Sequence, residues 1–506
     1  MAKGQHPPHR QTPYFPLLPL FFSLYGWNQL YPEINLPLAG CVFFITIALL
    51  ATGVYVVKKM LRINGQTAEL LAITAFFPLL FFGLLQDTLK AGRLPAFFTS
   101  YTFVLPGVLV VTAAALHLIY RKRPDRLAAY FATLLLVLCA GEVIQLVLKS
   151  RRPATDWLLD SRFTAVQEFN HRAAGPGNRP DIYFLLFDSY ASSLSLEQTL
   201  GYNNSAIESF LDEQGFRTFR EATSNYNTTM LSMSSLLNMD YLPDTASITR
   251  NYTDAFYRGN RSLDDNSLFR LLQQQDYRVV TAHPLSLNGA GTKYPTYFSY
   301  MKVQHYLYQT LPGRLYRDLG FHLKHSRPFR PLYRMLQQQQ NQRLTAYLQE
   351  SVSAVKATAS RDTAQAPRFV YGHFTLPHEP YVFHTDGTLR VPDSILSGTN
   401  GFRNYLQQLE YANQLIRELV THIRTNNRPN TCIILAGDHG YRSHSDANMP
   451  EHIFRILLSV YTPDGDVQNW PLTLSNANLF RLLLNSQWKA RFGLLPDETH
   501  LVRARR

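Results

Sequence analysis

At 506 residues and 58.0 kDa the chain is too long for one compact domain and suits two or three. Charged residues make up 17% and apolar ones 46%, against about 25% charged in ordinary soluble chains, so one region must be nearly free of charge and a disordered or collagen-like chain is excluded. Cys41, Cys139 and Cys432 lie far apart without a CxxC spacing, which excludes a zinc finger or a disulfide framework, and the net charge of +13 is unevenly spread.

Residues 1–150 hold 12 Lys and Arg against 5 Asp and Glu, whereas residues 151–506 hold 37 against 31. A chain half that is apolar and whose few charges are cationic and clustered has the texture of a membrane domain. Five apolar stretches are predicted to span, at 14–31, 37–57, 68–86, 97–119 and 127–148. The second, LPLAGCVFFITIALLATGVYV, is long enough at about 1.5 Å per residue to cross about 30 Å of hydrocarbon. The first, YFPLLPLFFSLYGWNQLY, contains Pro16 and Pro19 and has a short apolar core. No small-x-small cleavage site follows it and a second span comes almost at once, so it is expected to stay attached rather than act as a cleaved signal peptide.

Basic loops alternate with poor ones. Lys3 and Arg10, then Lys58, Lys59 and Arg62, then Arg121, Lys122, Arg123 and Arg126 mark one side; the other side has none after the first stretch and only Lys90 and Arg93 after the third. The alternation predicts a cytoplasmic N-terminus and, after five spans, an extracytoplasmic location for the rest of the chain. Glu142, inside the fifth stretch, raises the question of an intramembrane functional site. A helix-packing or interfacial role near the outer end is the reading favoured here. No basic stripe with interleaved aromatics occurs, so nucleic acid is not an expected partner.

The expected organisation is a transmembrane domain over 1–149, a linker over 150–178 containing GPGNRP, and a catalytic domain over 179–506. In the last part DIYFLLFDS, YRVVTAHP, RFVYGHF, TCIILAGDHG and RILLSVYTP read as strands, apolar almost throughout. Such strands belong to a largely parallel sheet covered on both faces. Between them lie helical patterns, among them SAIESFLDEQG with Gly215 at its end and GFRNYLQQLEYANQLIRELVTHIRTN. Strands alternating with helices predict an α/β domain, whose chemistry sits at the carboxyl ends of the strands.

Asp188 directly follows IYFLLF, and Asp438 and His439 directly follow CIILAG. Carboxylates and an imidazole at such ends suit a divalent ion. The stretch ATSNYNTTMLSMSSLLNMDYL adds hydroxyls where a helix is predicted to begin near Thr228 or Thr229. A hydroxyl at a helix start is ordinarily a cap, yet the same geometry offers N–H groups to an oxyanion and a nucleophile to phosphorus.

Taken in order, DIYFLLFDSYAS, the stretch from LGYNNSAIESFLDEQG to NYNTTMLSMSSL, FVYGHFTLPHEPYVF and IILAGDHGY resemble the sulfatase-like branch of the alkaline phosphatase superfamily. The nearer likeness is to membrane-anchored lipoteichoic acid synthases and phosphoethanolamine transferases. The resemblance implies a helical membrane domain followed by an alkaline-phosphatase-like α/β domain. It implies metal ligation by Asp188, Asp438, His439 and Thr229, with Thr229 the nucleophile and His378 binding the transferred group or protonating the leaving oxygen. Thr229 is preferred over Thr228 because Ser232 stands three positions on, a spacing typical of these transferases, and it is expected at the helix N-cap. His373, His444 and His452 are candidates for substrate binding; for His373 a place satisfied within the sheet is the alternative.

The implied metal is Zn²⁺ or Mn²⁺, with Mg²⁺ or Ca²⁺ as alternatives. The implied partners are a phospholipid donor and an envelope glycan or lipid acceptor at a bacterial cytoplasmic (inner) membrane. The chain departs from sulfatases proper in lacking Cys- or Ser-x-Pro-x-Arg, the formylglycine sequence, where it reads NYNTTMLS. Phe187 stands where they tend to have a second aspartate, and Ser189 follows the acid where transferases often carry Arg. The expected function is therefore transfer of a phospho-substituent through a phospho-threonine. A sulfatase-like phosphodiesterase or sulfuric ester hydrolase is the first alternative, and a non-catalytic binding module the second.

Overall fold

The computed structural model describes residues 13–31, 34–92, 94–122, 125–151, 165, 169, 179–242, 252–282, 296–320, 326–362, 366–390, 401–442 and 450–502. The first part is helical: α1 (Leu17–Gln29), α2 (Leu36–Leu61), α3 (Gly65–Ala91), α4 (Ala96–Thr99), α5 (Tyr101–Lys122) and α6 (Asp125–Arg151). There follow β1 (Asp181–Phe187), α7 (Ser193–Leu200), α8 (Ser205–Glu213), β2 (Arg217–Thr218), α9 (Thr229–Asn238), α10 (Tyr252–Asp264), α11 (Ser267–Gln274) and β3 (Arg278–Ala282). The chain continues through α12 (Thr296–Gln309), α13 (Leu311–Leu319), α14 (Arg330–Ala357), β4 (Arg368–Phe374), α15 (Gly401–Asn426), β5 (Thr431–Gly437), β6 (Leu458–Tyr461) and α16 (Asn476–Trp488). Most of the expected linker lies outside the described residues.

Two compact units result. Met1–Ala154 groups with Thr296–Arg330, and Thr155–Pro295 groups with Pro331–Arg506. In the helical unit, α2, α3, α5 and α6 are long and apolar enough to cross a membrane. The chain is a multi-pass membrane protein. The first predicted span forms only the 13-residue α1, about 20 Å long against about 30 Å of hydrocarbon. It packs against α2 and α6. Asn35 and Asn64 start α2 and α3 by accepting from Leu38 N (3.0 Å) and Thr67 N (2.8 Å). Glu142 accepts from Asn28 of α1 at 2.6 Å, and Gln145 accepts from the same amide at 2.9 Å. The helix-packing reading of Glu142 is therefore the one realised.

The segment 296–330 was expected inside the catalytic domain, but α12 and α13 pack on α3 in the helical unit. Arg314, almost fully buried, ties the docking together. Its Nε donates to Tyr308 O at 2.6 Å, and its guanidinium pairs with Asp87 and reaches Gly83 O at 3.4 Å. Close approach requires the glycine: a Cβ on Gly83 would sit 2.4 Å from Tyr308 O and 2.8 Å from Gln309 Cα. Gly83→Leu is expected to undock the two helices and lower the thermal midpoint of the detergent-solubilised chain by several degrees, the cost of overpacking being about 1–3 kcal/mol. Gly107→Leu, where a Cβ meets nothing within 4 Å, is the control expected to melt like wild type. Equal midpoints for the two variants would refute this account of the contact.

The α/β unit is built on a six-stranded sheet in the order β2-β6-β5-β1-β4-β3. β1 is central and parallel to both β4 and β5, and β3 is parallel to β4. The stretch RILLSVYTP yields only β6, which runs antiparallel to β5 and to the two-residue β2. Strands β1, β4 and β5 are buried at every position. Alternate residues serve opposite layers: Tyr183, Leu185 and Phe187 join a core with Tyr405, Leu409, Ala412 and Ile416 of α15, while Phe184 meets Phe480 of α16 edge-on at 5.2 Å. Two covered faces explain why the strands are apolar without alternation. Gly215 ends its helical stretch as expected, at φ +79° with its N–H donating to Asp212 O at 2.8 Å.

The amino ends of the central strands are fastened by one buried carboxylate. Asp181 accepts from Arg428 at 2.7 and 2.5 Å, from Arg368 N and Nη2 at 2.8 Å each, and from Asn427 Nδ2 at 3.0 Å. Burial alone would raise its pKa, but Arg428 first and Arg368 next hold it below the usual carboxylate value. A lowered folded pKa stabilises fully above the unfolded pKa, about 3.9, and the gain is lost as pH falls through the folded value. Asp181→Asn is expected to cost about 3–5 kcal/mol at neutral pH, because it leaves two buried guanidinium groups uncompensated. The gap to wild type should narrow as pH drops below about 4. Denaturation midpoints across pH check both the size and the sign.

Candidate active site

Register brings the chemistry together. Phe187 pairs with Gly437 across the parallel β1–β5 ladder, so the residues that follow, Asp188 and Asp438, emerge side by side at the carboxyl end of the sheet. The turn after β1 is tight: Ser189 takes a left-handed φ of 64°, which sends its N–H to Asp438 Oδ1 at 2.9 Å. His439 N donates to the same oxygen at 2.9 Å. A Cβ on Gly440 would lie 2.5 Å from His452 O and 2.7 Å from Arg455 O, so only glycine lets the chain pass there. From the other side Ser232, in the first turn of α9, donates to Asp438 O at 2.6 Å and locks that helix to the loop.

With Oδ1 of Asp438 engaged twice, its Oδ2 is buried and has no partner. The same holds for Asp188 Oδ1, His439 Nε2, His373 Nε2 and Thr228 Oγ1. His439 Nε2 is 3.6 Å from Asp188 Oδ1 and 3.5 Å from Asp438 Oδ2, while its Nδ1 donates to Gly440 O at 2.9 Å. That bond leaves the Nε2 lone pair facing the carboxylates. Burial, against the opposing pull of Asp438, brings the His439 pKa down to about 4, so the ring is neutral at pH 7. Asp188 is held well below the usual carboxylate range; burial opposes this, and His378, His373 and His439 outweigh it. Anionic oxygens and a neutral imidazole, all buried without partners, are the donor set a divalent cation satisfies. The residues fit such an ion.

A three-member group, Asp188, His378 and His439, brings its ligand atoms within 4.8 Å of one another. His378 is the odd member. Its Nδ1 meets Glu379 O at 2.6 Å and its Nε2 meets Arg442 Nη2 at 2.9 Å, so both nitrogens already have partners. Asp438, with an orphaned oxygen, is the better third ligand. His378 stands beside it, with its ring 5.8 Å from that of His439. Gln408 of α15 steadies this loop, donating to His378 O at 2.7 Å.

His373 is buried in β4, with Tyr371 Oη 3.0 Å from its Nδ1 and its Nε2 3.6 Å from Asp188 Oδ2. It stands beside Asp188, and the tyrosine satisfies its Nδ1 within the sheet while Nε2 is left without a hydrogen-bond partner. The expected cap is one residue off. Thr228, with φ −136°, is the N-cap of α9 and its carbonyl accepts from Ser232 N at 2.9 Å; Thr229 is the first helical residue. Both residues are half-buried, and the Thr228 side chain makes no capping bond while its Oγ1 is sealed from solvent and partnerless. His452 lies in the turn Pro450–Ile453, its Nδ1 buried without a partner, outside the three-member group. His444 lies outside the described residues. Arg442, two residues beyond the DHG motif, went unnoticed; the available signal was a cation immediately downstream of that motif.

The geometry meets a family description. The Sulfatase family profile matches residues 180–483. No curated protein sequence matches the chain. Among solved structures, the periplasmic domain of EptC from Escherichia coli, in complex with Zn, aligns at 14% identity and TM-score 0.37, over 62% of this chain and 84% of that one. A putative sulfatase, yidJ, from Bacteroides fragilis aligns at 15% identity and TM-score 0.40, over 63% and 76%. Lipooligosaccharide phosphoethanolamine transferase A (EptA) from Neisseria meningitidis aligns at 11% identity and TM-score 0.36, over 94% and 95%. The profile spans the α/β sheet from β1 through most of α16 and contains Asp188, His378, Asp438 and His439, so the chain belongs to the sulfatase family and is an enzyme.

Proposed function

We propose that the protein is a membrane-anchored, metal-dependent transferase that moves a phospho-substituent, of the phosphoethanolamine or phosphoglycerol type, from a lipid donor to an envelope glycan or lipid. The observation that carries the reading is the set of buried, partnerless atoms Asp188 Oδ1, Asp438 Oδ2 and His439 Nε2 beside the opening turn of α9. Asp188, Asp438 and His439 would hold the ion, Zn²⁺ or Mn²⁺, together with the Thr229 hydroxyl. The ion supplies Lewis-acid polarisation and lowers the pKa of a nearby hydroxyl.

Thr229 Oγ attacks phosphorus in line, and its proton passes to water as the P–Oγ bond forms. The bond to the donor lipid oxygen breaks, that oxygen takes up a proton from water, and His378 lines the site of the transferred group. An acceptor hydroxyl then displaces the threonine and restores it. The lack of a formylglycine sequence supports a threonine route over sulfate-ester hydrolysis. Water in place of the acceptor gives a phosphodiesterase, the second reading, favoured by the family match itself.

Phosphorus-31 NMR and mass spectrometry of envelope lipids and glycans, from cells with and without the gene, test the reading. A phospho-substituent lost from an envelope molecule on deletion is the expected result. Unchanged profiles, with purified protein that hydrolyses phosphodiesters equally with and without acceptor, would sink the transferase.

The proposed transfer puts the α/β unit on the extracytoplasmic side of a bacterial cytoplasmic membrane, so that α6 crosses outward and the chain before it lies inside. A reporter fused after residue 506 is expected to be active only outside, and one fused near residue 123 only inside. The reverse pattern would overturn this topology.

A further inference from the structure

The helix pair α12–α13 is built inside out for a surface that borders water. Its charges are turned to protein partners: Arg314, only 3% exposed, pairs with Asp87 of α3, and Tyr101 Oη of α5 donates to Asp318 at 2.7 Å. Arg317 pairs with the same Asp318 carboxylate at 2.5 Å. The apolar side chains point outward instead. Val303 and Leu307, one turn apart on α12, are 41% and 48% exposed, and Tyr316 and Leu319 of α13 are 58% and 39% exposed. A helix at a water-facing surface shows the opposite arrangement, with its apolar stripe against the core.

Lipid reverses that rule. At membrane depth an ionisable side chain turns to the protein interior and finds a partner there, while apolar side chains meet acyl chains. The pair sits at such a depth. It docks on Gly83 and Asp87, which lie about 12 and 6 Å before the Ala91 end of α3, a helix long and apolar enough to span. Leu79 and Leu85 of the same helix are exposed, so the outward edge of the pair adjoins a surface that lipid already covers. Asp87, half-exposed, marks the polar border of that surface. Beyond α13, the exposed Phe329 stands between the exposed Arg327 and Arg330, an aromatic ring flanked by cations that suits the headgroup layer.

We propose that α12 and α13 are embedded in the bilayer, in the leaflet at the Ala91 end of α3, with Val303, Leu307, Tyr316 and Leu319 against the acyl chains of membrane phospholipids. A stretch of sequence between two strands of the catalytic sheet, β3 and β4, is thereby a second membrane contact of the chain, beyond its N-terminal spans. The inference is independent of the reaction proposed above. The internal pairing of Arg314 and Asp318 serves the embedding, because none of the four outward side chains carries a charge that would have to leave water unpaired.

The test uses the full-length wild-type protein in vesicles of phosphatidylethanolamine and phosphatidylglycerol. One sample is labelled from the lipid phase with a lipophilic diazirine and another from water with hydroxyl radicals, and peptide mass mapping locates the modified residues. Val137, exposed on the spanning helix α6, is the lipid reference, and Leu472, exposed in the α/β unit, is the water reference. Leu307, Tyr316 and Leu319 are expected to take up the diazirine as Val137 does and to lose hydroxyl-radical modification relative to Leu472. Radical modification of these three at the level of Leu472, without diazirine uptake, would place them in water. Protection from both reagents would place protein over them. Either of those results overturns the embedding.

Discussion

Asp438→Asn is expected to leave the α/β unit folded but without its divalent ion and without turnover. The reason is a division of labour within one carboxylate. Oδ1 is structural, accepting from Ser189 N and His439 N at 2.9 Å each, and the carboxamide oxygen of asparagine can keep both bonds. Oδ2 is buried with no partner, and there asparagine offers an NH₂ donor in place of an anionic ligand. Asp438→Ala is the less informative change, because it orphans two buried N–H groups at about 1–3 kcal/mol each and confuses metal loss with unfolding. Losing the ion removes several kcal/mol of transition-state stabilisation, on the order of 10³-fold or more in rate. Metal analysis, thermal midpoint and turnover on the same preparation decide the matter. An asparagine variant that keeps its metal and its activity would show that the ion, if present, is held elsewhere.

Much of this site was legible because its positions are set by strand ends. Asp188 and Asp438 each follow an uninterrupted apolar run, and a run buried on both faces can only be a central strand, so the residue that breaks it falls at the sheet's carboxyl edge. What stayed hidden depends on contacts that no local pattern records. Arg442 is an ordinary cation in the sequence, and it becomes notable only where the fold brings it to His378 and Asn227. Nothing in the sequence of α12 and α13 says where they pack; their seating depends on two glycines distant from them in the chain, Gly26 of α1 against the Tyr306 ring and Gly83 of α3 against Tyr308 O. Strand β6 is apolar in the sequence, but the connection from β5 is long enough for either direction and composition carries no sign that it runs antiparallel.

The remaining ambiguity, Thr228 or Thr229, is one of a single residue, and the structure sharpens it. Both hydroxyls open α9. Both residues are half-buried, but Thr228 sits in extended backbone at the N-cap with its Oγ1 sealed from solvent and partnerless, while Thr229 begins the helix and its Oγ1 is not among the sealed, partnerless atoms. A nucleophile must reach a substrate that enters from outside; a hydroxyl that only grips a bound oxyanion can be sealed. On that ground we propose the attack for Thr229 and a place in the pocket wall for Thr228. Thr229→Ala should cost on the order of 10³-fold or more in turnover, with the fold and metal retained, since it removes the bond-forming atom. Thr228→Ala loses one hydrogen bond to the bound group and should cost about tenfold, with stability changed by no more than about 1 kcal/mol because its side chain caps nothing. Trapping the covalent intermediate with a slow substrate and locating the modified residue by peptide mass mapping is the direct measurement. Phosphate on Thr228 would reverse the two roles, and phosphate on neither threonine would remove the double-displacement route.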